Sequence, residues 1–155
     1  MDKEKFIFGS LFLLANRLQA IGDQYLSADD MTIKQWFLTV MVSQFNDTPP
    51  TLSEVAEVMG SSRQNVKQLA LKLQEKDFLS IEKDETDGRA LRLKLTQKSH
   101  EFWEKRMDND SKFILNLFKD ISQSELDSIY SGFNKLLEKI EKLEKSIDKE
   151  NIIYE

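Results

Sequence analysis

Between Thr51 and Leu95 the hydrophobic period of the chain changes from helical to strand-like, and this constrains the fold more than any other feature. Leu52, Val55, Ala56 and Met59 recur at helical spacing behind Thr51 and Glu54, a pair that can satisfy each other's first-turn N–H groups as a capping box. Gly60 is placed to end that helix, and Ser61 or Ser62 to cap the next, with Gln64 as a reciprocal partner. In the second helix Val66, Leu69, Ala70 and Leu73 face inward, while Arg63, Gln64, Asn65, Lys67, Gln68 and Lys72 are left outside. Beyond Asp77 the period falls to two. Phe78–Ile81 and Leu91–Leu95 read as strands, the latter with Leu91, Leu93 and Leu95 on one face and Arg92 and Lys94 on the other. The stretch from Asp84 to Gly88 is a turn by composition, with Arg89 near its tip.

Two helices joined by a tight Gly-Ser turn and followed by an antiparallel ribbon make a winged helix-turn-helix, whose usual role is to hold duplex DNA. The remaining segments read as a frame around it. Over Lys5–Leu26 a helix is predicted in which Ile7, Leu11, Leu14, Leu18, Ile21 and Tyr25 recur at alternating steps of four and three, a heptad-like seam. Phe6, Phe8, Phe12 and Leu13 fall off the seam, so two sides of this helix need covering. The next helix, Met31–Phe45, opens on a Thr32/Gln35 capping box and ends at the run 46–50, which closes with Pro49 and Pro50. Thr96 caps a long helix to about Phe118, with the acidic patch Asp108–Asp110 expected to loosen its middle. Ser122 and Glu125 open the last helix, where Leu126, Phe133, Ile140 and Ile147 lie seven apart, as do Ile129, Leu136 and Leu143.

The expected architecture is therefore mainly α (α+β by virtue of the wing), in one domain over residues 1–155. A winged-helix lobe occupies 31–96, and 1–30 with 97–155 form a dimerisation frame. Ile7, Leu11 and Leu14 of the first helix and Leu126, Ile129, Phe133, Leu136, Ile140 and Leu143 of the last are the expected dimer contacts.

The chain has a net charge of −5, which argues against nucleic acid until its distribution is considered. From Gly60 to Leu95 eight cations face six anions, a net of +2, so the winged unit is the mildly basic part of an acidic protein. The absence of cysteine excludes a disulfide scaffold, thiolate metal sites and a cysteine redox switch. The run FIFGSLFLLA resembles a signal-peptide core, but the charges before it cancel and helical periodicity continues past any cleavage site. No run reaches the ~18 apolar residues of a membrane span. A cytoplasmic protein with no membrane partner is expected. His100, placed on an exposed turn, has no convergent partners, and there is no phosphate loop, nucleophile motif or metal-ligand spacing. Neither enzyme activity nor a cofactor is expected.

The run from Thr51 to Thr96 resembles the MarR (multiple antibiotic resistance regulator) family of winged-helix transcription factors. The specific part is DGRALRLKLTQKS, in which Asp87, Arg89, Leu95, Thr96 and Lys98 stand at matching positions. The resemblance implies a homodimer with intertwined terminal helices, which acts on DNA, usually as a repressor, and is often released by a small aromatic or phenolic ligand. The wing departs from the family pattern in its cations: Ile81 and Glu82 replace common arginines, and Gly88 replaces one at the tip. Asp77 and Ser99 stand where glycines are usual. Aspartate tolerates the left-handed conformation that Asp77 would need.

The expected DNA contacts are Ser61, Ser62, Arg63, Gln64, Asn65, Lys67, Gln68 and Lys72 on the second helix of the pair, with Asp87 and Arg89 on the wing. Arg pairs bidentately with guanine and Asn or Gln with adenine in the major groove, whereas Ser and Lys hold phosphates. The bland alternative is a solvated polar face. Arg89 either enters the minor groove, oriented by Asp87, or makes a surface ion pair worth ~0–1 kcal/mol. Phe12, Trp36 and Phe37 are candidates to line a ligand cavity with Arg17 as a carboxylate anchor; ordinary core aromatics and a surface arginine are the alternatives. The sequence thus points to a sequence-specific regulator, a repressor acting as a homodimer on a pseudo-palindromic operator in double-stranded DNA. A winged-helix protein-interaction adaptor, which the net charge suits, and an effector-independent architectural DNA binder are the competing readings.

Overall fold

The structure of the chain, a computed structural model, describes residues 2–46 and 48–150, with side chains to Ile147. Asp47, within the expected break at 46–50, and residues 1 and 151–155, within the expected frame, lie outside the described residues. In chain order the elements are α1 (Lys3–Leu26), a 3-10 turn (Ser27–Asp29), α2 (Ile33–Ser43), α3 (Leu52–Val58), α4 (Arg63–Glu75), β1 (Leu79–Lys83), β2 (Leu91–Leu95), α5 (Gln97–Phe118) and α6 (Gln123–Glu150). The strands form one antiparallel pair. The mainly helical class with a two-stranded wing is borne out. No helix among the described residues is long and apolar enough to cross a membrane.

The chain divides into two compact units, Met1–Lys105 and Arg106–Glu155. In the first, α2, α3, α4 and the ribbon share one core: Leu38, Val55, Val66, Ala70, Leu73, Leu79 and Leu93 are each at most 1% exposed. Helix starts fall where capping chemistry puts them. Thr32 Oγ1 accepts the Gln35 N–H while Gln35 Oε1 accepts the Thr32 N–H, so α2 begins at Ile33 and Met31 is left outside the helix, buried in the core. The Thr51/Glu54 box repeats this at α3, with the Thr51 N–H donating to Glu54 Oε2 at 2.7 Å. These hydrogen bonds from the Thr51 backbone and hydroxyl hold the Glu54 carboxyl below its ordinary range, and the positive Arg92 adds to the effect.

α3 and α4 are each closed at their C-terminal end by a left-handed residue. Gly60 has φ of 57°; its N–H donates to the Glu57 carbonyl, and the Ser61 N–H to Ala56, which is a Schellman motif. The same pattern ends α4: Asp77 has φ of 62°, its N–H donates to Gln74 at 3.0 Å, and the Phe78 N–H donates to Leu73 at 2.9 Å. Asp77 thus takes the conformation expected of it. The N-cap of α4 is Ser62, whose Oγ accepts the Asn65 N–H; the third helical residue is Asn65, so Gln64 is not the reciprocal partner the sequence suggests.

The strand before the wing turn begins at Leu79, one residue later than expected, because Phe78 completes the Schellman closure. Pairing runs from Leu79↔Leu95 to Lys83↔Leu91, with Ile81 opposite Leu93. A bridge between Thr51 and Arg92, and the Leu93 N–H donating to the Pro50 carbonyl at 2.8 Å, tie the ribbon to the start of α3. At its other end Thr96 Oγ1 donates to the Asp77 carbonyl, and His100 proves to lie in the first turn of α5 rather than on a loop. On α1, Ile7 and Leu14 are about half exposed, at 50% and 53%.

In the second unit α5 continues unbroken to Phe118, and the Asp108–Asp110 patch does not loosen it; Arg106 Nη2 meets Asp110 Oδ1 at 3.1 Å, one turn on. The Ser122/Glu125 box forms as expected, and those hydrogen bonds hold the Glu125 carboxyl below its usual range. Along α6, Ile129, Phe133, Leu136, Ile140 and Leu143 are 38% to 47% exposed. A β-branched residue in the left-handed conformation of Asp77 costs about 1–2 kcal/mol, whereas glycine adopts it freely. Asp77→Val is therefore expected to be less stable than Asp77→Gly by at least that amount, as read from urea midpoints at pH 7.

Candidate nucleic-acid interface

A helix that buries one stripe presents what remains. With Val66, Ala70 and Leu73 fully buried, α4 leaves Arg63, Gln64, Asn65, Lys67, Gln68 and Lys72 exposed on its outer side. Ser62 is exposed at the cap and Ser61 half-buried in the turn. Two cations, three amides and a hydroxyl occupy the first two turns, a mixture that offers donors and acceptors to base edges and donors to phosphates.

The helix is not an isolated ridge. Phe37 and Lys34 of α2 line a concavity of about 480 Å³ together with Gly60, Ser61, Asn65 and Gln68. Lys34 was not singled out by periodicity, since on α2 alone it is one more exposed lysine. It lies in the first turn of α2, where a cation opposes the helix dipole and no acidic residue offsets it. Its position beside Ser61 and Asn65 emerges only from tertiary packing.

The wing is braced from within. Asp84 is 8% exposed, and its Oδ1 accepts the Thr86 hydroxyl at 2.7 Å, the Thr86 N–H at 2.8 Å and the Asp87 N–H at 2.8 Å. Its other oxygen is paired with the Arg92 guanidinium. Led by the Thr86 hydroxyl, these donors push the Asp84 carboxyl well below the ordinary carboxylate range. Arg92 also donates from Nη1 to the Pro49 carbonyl at 2.6 Å, so it is a half-buried brace rather than an outer-face cation. The Asp-x-Thr-Asp spacing is a side-chain turn signal that could have identified Asp84 from sequence. The Arg92–Pro49 link, across 43 residues, has no local signal.

Asp87 Oδ1 accepts the backbone N–H of Arg89 at 3.0 Å. It therefore shapes the tip, and among the described residues Arg89 makes no ion pair through its exposed guanidinium. The ligand candidates are dispersed. Phe37 faces the α4 concavity, Trp36 packs against the core, Phe12 is 62% exposed with its ring edge-on to Phe8, and Arg17 is exposed on α1. A second concavity of about 330 Å³ is lined by Phe45, Pro50, Leu93, Leu95 and His100 among others, and includes none of the four. Among the described residues no cluster of three His, Asp or Glu side chains is placed to hold a metal ion.

This arrangement, a polar helix presented by a glycine turn beside a braced ribbon, defines a winged-helix protein. No family model matches the chain. It is 29% identical over 132 residues to the transcriptional repressor MprA of Escherichia coli (strain K12), covering 85% of this chain and 72% of that protein. The Staphylococcus aureus MepR–DNA complex superposes with a TM-score of 0.76 at 19% identity, covering 85% of this chain and 97% of that one. Staphylococcus aureus MarR in complex with salicylate and kanamycin gives a TM-score of 0.74 at 20% identity, over 90% and 93% of the two chains. The chain therefore has the winged-helix fold seen in those MarR-family structures.

Because the Asp84 pKa is depressed on folding, its contribution to stability is present above the unfolded value of about 3.9 and is lost as pH falls toward the folded value. Asp84→Asn is expected to be less stable than the parent at pH 7. In urea titrations between pH 7 and pH 2 the gap should narrow below about pH 4; a gap that stays constant to pH 2 excludes the carboxylate as its source.

Proposed function

We propose that the chain is a transcriptional regulator, a repressor that binds a pseudo-palindromic site in double-stranded DNA as a homodimer. The observation that carries this is the outer face of α4, where Arg63, Gln64, Asn65, Lys67, Gln68 and Lys72 all stand clear of the core. In this reading α4 enters the major groove, Ser61 and Ser62 hold phosphate at its start, and Arg89, on a tip shaped by Asp87, reaches toward the minor groove. Lys34 adds a phosphate contact beside α4, partly making up for a wing whose Arg92 is committed to bracing. The lobe is residues 31–96, and the frame is 1–30 with 97–155.

The half-exposed seams on α1 and α6 support the dimer. Ile7, Leu11 and Leu14, with Leu126, Ile129, Phe133, Leu136, Ile140 and Leu143, are the residues proposed to meet a second copy. Apolar stripes of this length are seldom left in water. Two α4 helices would then address major grooves about 34 Å apart on one face of the duplex. A small aromatic acid is the proposed effector, with Phe12, Arg17, Trp36 and Phe37 as the contacts to examine. Its support is the salicylate held by the staphylococcal MarR structure.

Selection of bound sites from random duplexes tests symmetry and spacing together, and the proposal expects inverted repeats. Arg63→Ala and Gln64→Ala should each weaken binding to the selected site by roughly 1–3 kcal/mol and relax preference at one position per half-site. Unchanged affinity for both variants at fixed salt, or a monomer in sedimentation at micromolar concentration, would overturn the proposal.

A further inference from the structure

The end of α4 is fastened to the junction between α1 and α2. Lys76, the residue after α4, donates from Nζ to the backbone carbonyl of Asp30, lies 3.3 Å from the Asp30 carboxylate, and reaches Gln35 Oε1 at 3.4 Å. Gln35 is 3% exposed and is already engaged with the Thr32 N–H in the α2 capping box. Asp30 has φ of 51°, so its carbonyl is presented by a left-handed turn directly after the 3-10 segment that follows α1. From the other side, Lys98 Nζ donates to the Lys76 carbonyl at 2.7 Å and sits 4.7 Å above the Phe78 ring.

The same junction is locked to α1. A Cβ on Gly22 would lie 2.8 Å from Ile33 Cγ1, so α1 and the first residue of α2 touch at a point where no other side chain fits unchanged. One residue on, Asp23 Oδ1 accepts the Ile33 N–H at 2.7 Å. Asp23 thereby satisfies a first-turn donor of α2 that the Thr32/Gln35 box does not reach. The order of contact is α1, Ile33, Asp30 and Gln35, Lys76, and then the C-terminus of α4.

We propose that this corner, with Lys76 at its centre, is the positioning device that fixes the direction of α4 relative to α1, and through it the separation of the two DNA-reading helices in the dimer. The inference rests on the function proposed above. Lys76 is a positioning residue and does not touch DNA: its side chain is 26% exposed, and its ammonium faces a carbonyl, a carboxylate and an amide oxygen of its own chain. A looser corner lets each α4 sample more directions, so a duplex with the right spacing is held less well and one with the wrong spacing is rejected less sharply.

The test uses the full chain and a set of duplexes carrying the selected half-sites at the native separation and at one base pair more or less. Lys76→Met is expected to lower affinity at the native separation by about tenfold, to flatten the dependence on separation, and to leave the salt slope of binding unchanged. Lys76→Arg, which keeps the charge and the reach, should restore the spacing dependence. A wild-type separation profile in Lys76→Met overturns the inference, as does a salt slope reduced by about one, the sign of a lost phosphate contact. If Lys76→Met does not fold, Asp23→Ala opens the same corner from the α1 side and is judged by the same profile. Failure of the wild-type chain to bind any selected duplex overturns the proposed function instead.

Discussion

Everything that α4 can do depends on where two backbone reversals place it. Gly60 and Asp77, both left-handed, close α3 and α4 with the same pair of hydrogen bonds, and each turns the chain without spending a side chain on the task. The first sets the angle between α3 and α4; the second returns the chain directly into β1. Because Phe78 is both the closing residue of the second motif and a core residue at 5% exposure, the end of α4 is anchored by packing as well as by hydrogen bonds. That double anchoring lets the inner stripe of Val66, Ala70 and Leu73 be fully buried while the whole polar face stays clear.

The cations of the winged unit and of the first turn of α5 divide by job. Arg92 is turned inward onto Asp84 and the Pro49 carbonyl, Lys76 onto Asp30 and Gln35, and Lys98 onto the Lys76 carbonyl. A net charge counted from the sequence credits all three to the surface field, but the structure holds them as braces. Exposed cations remain on α2 (Lys34), along α4 (Arg63, Lys67, Lys72), on the ribbon (Lys83, Lys94) and at the wing tip (Arg89). Non-specific attraction to a polyanion grows with each phosphate neutralised, so in the proposed complex the braced cations would add little to it.

The fold was legible wherever its cause is local. Capping boxes at Thr32, Thr51 and Ser122 were readable because each needs only two side chains three residues apart. The strand alternation at Leu91–Leu95 and the left-handed Asp77 were readable for similar reasons. The sequence misleads where several local solutions compete: Gln64 beside Asn65 behind the α4 cap, the one-residue delay of β1, and an acidic patch that α5 absorbs through Arg106. The exposed face of α4 could be listed from periodicity alone. Lys34 beside Asn65, Arg92 on Pro49 and Lys76 on Asp30 could not, since each joins residues that only the folded chain brings together.

The heptad seams on α1 and α6 pose a different kind of problem, because their apolar residues remain near half exposure in a single chain. Near 25 cal/mol per Å² of apolar surface, covering such stripes is a large favourable term, and it favours the proposed homodimer. In the homodimer proposed above, the placement of one α4 relative to the other would be a property of these seams. Local geometry within the lobe then matters chiefly as far as it transmits that placement. The Gly22–Ile33 contact and the Lys76 corner are where transmission would occur, since they link α1 to the end of α4 through the Ile33 N–H, the Asp30 carbonyl and the buried Gln35 amide. In the proposed dimer such a joint would convert a small rotation of α1 into a displacement at the far end of α4, and so into a change in the spacing of the two DNA-reading helices.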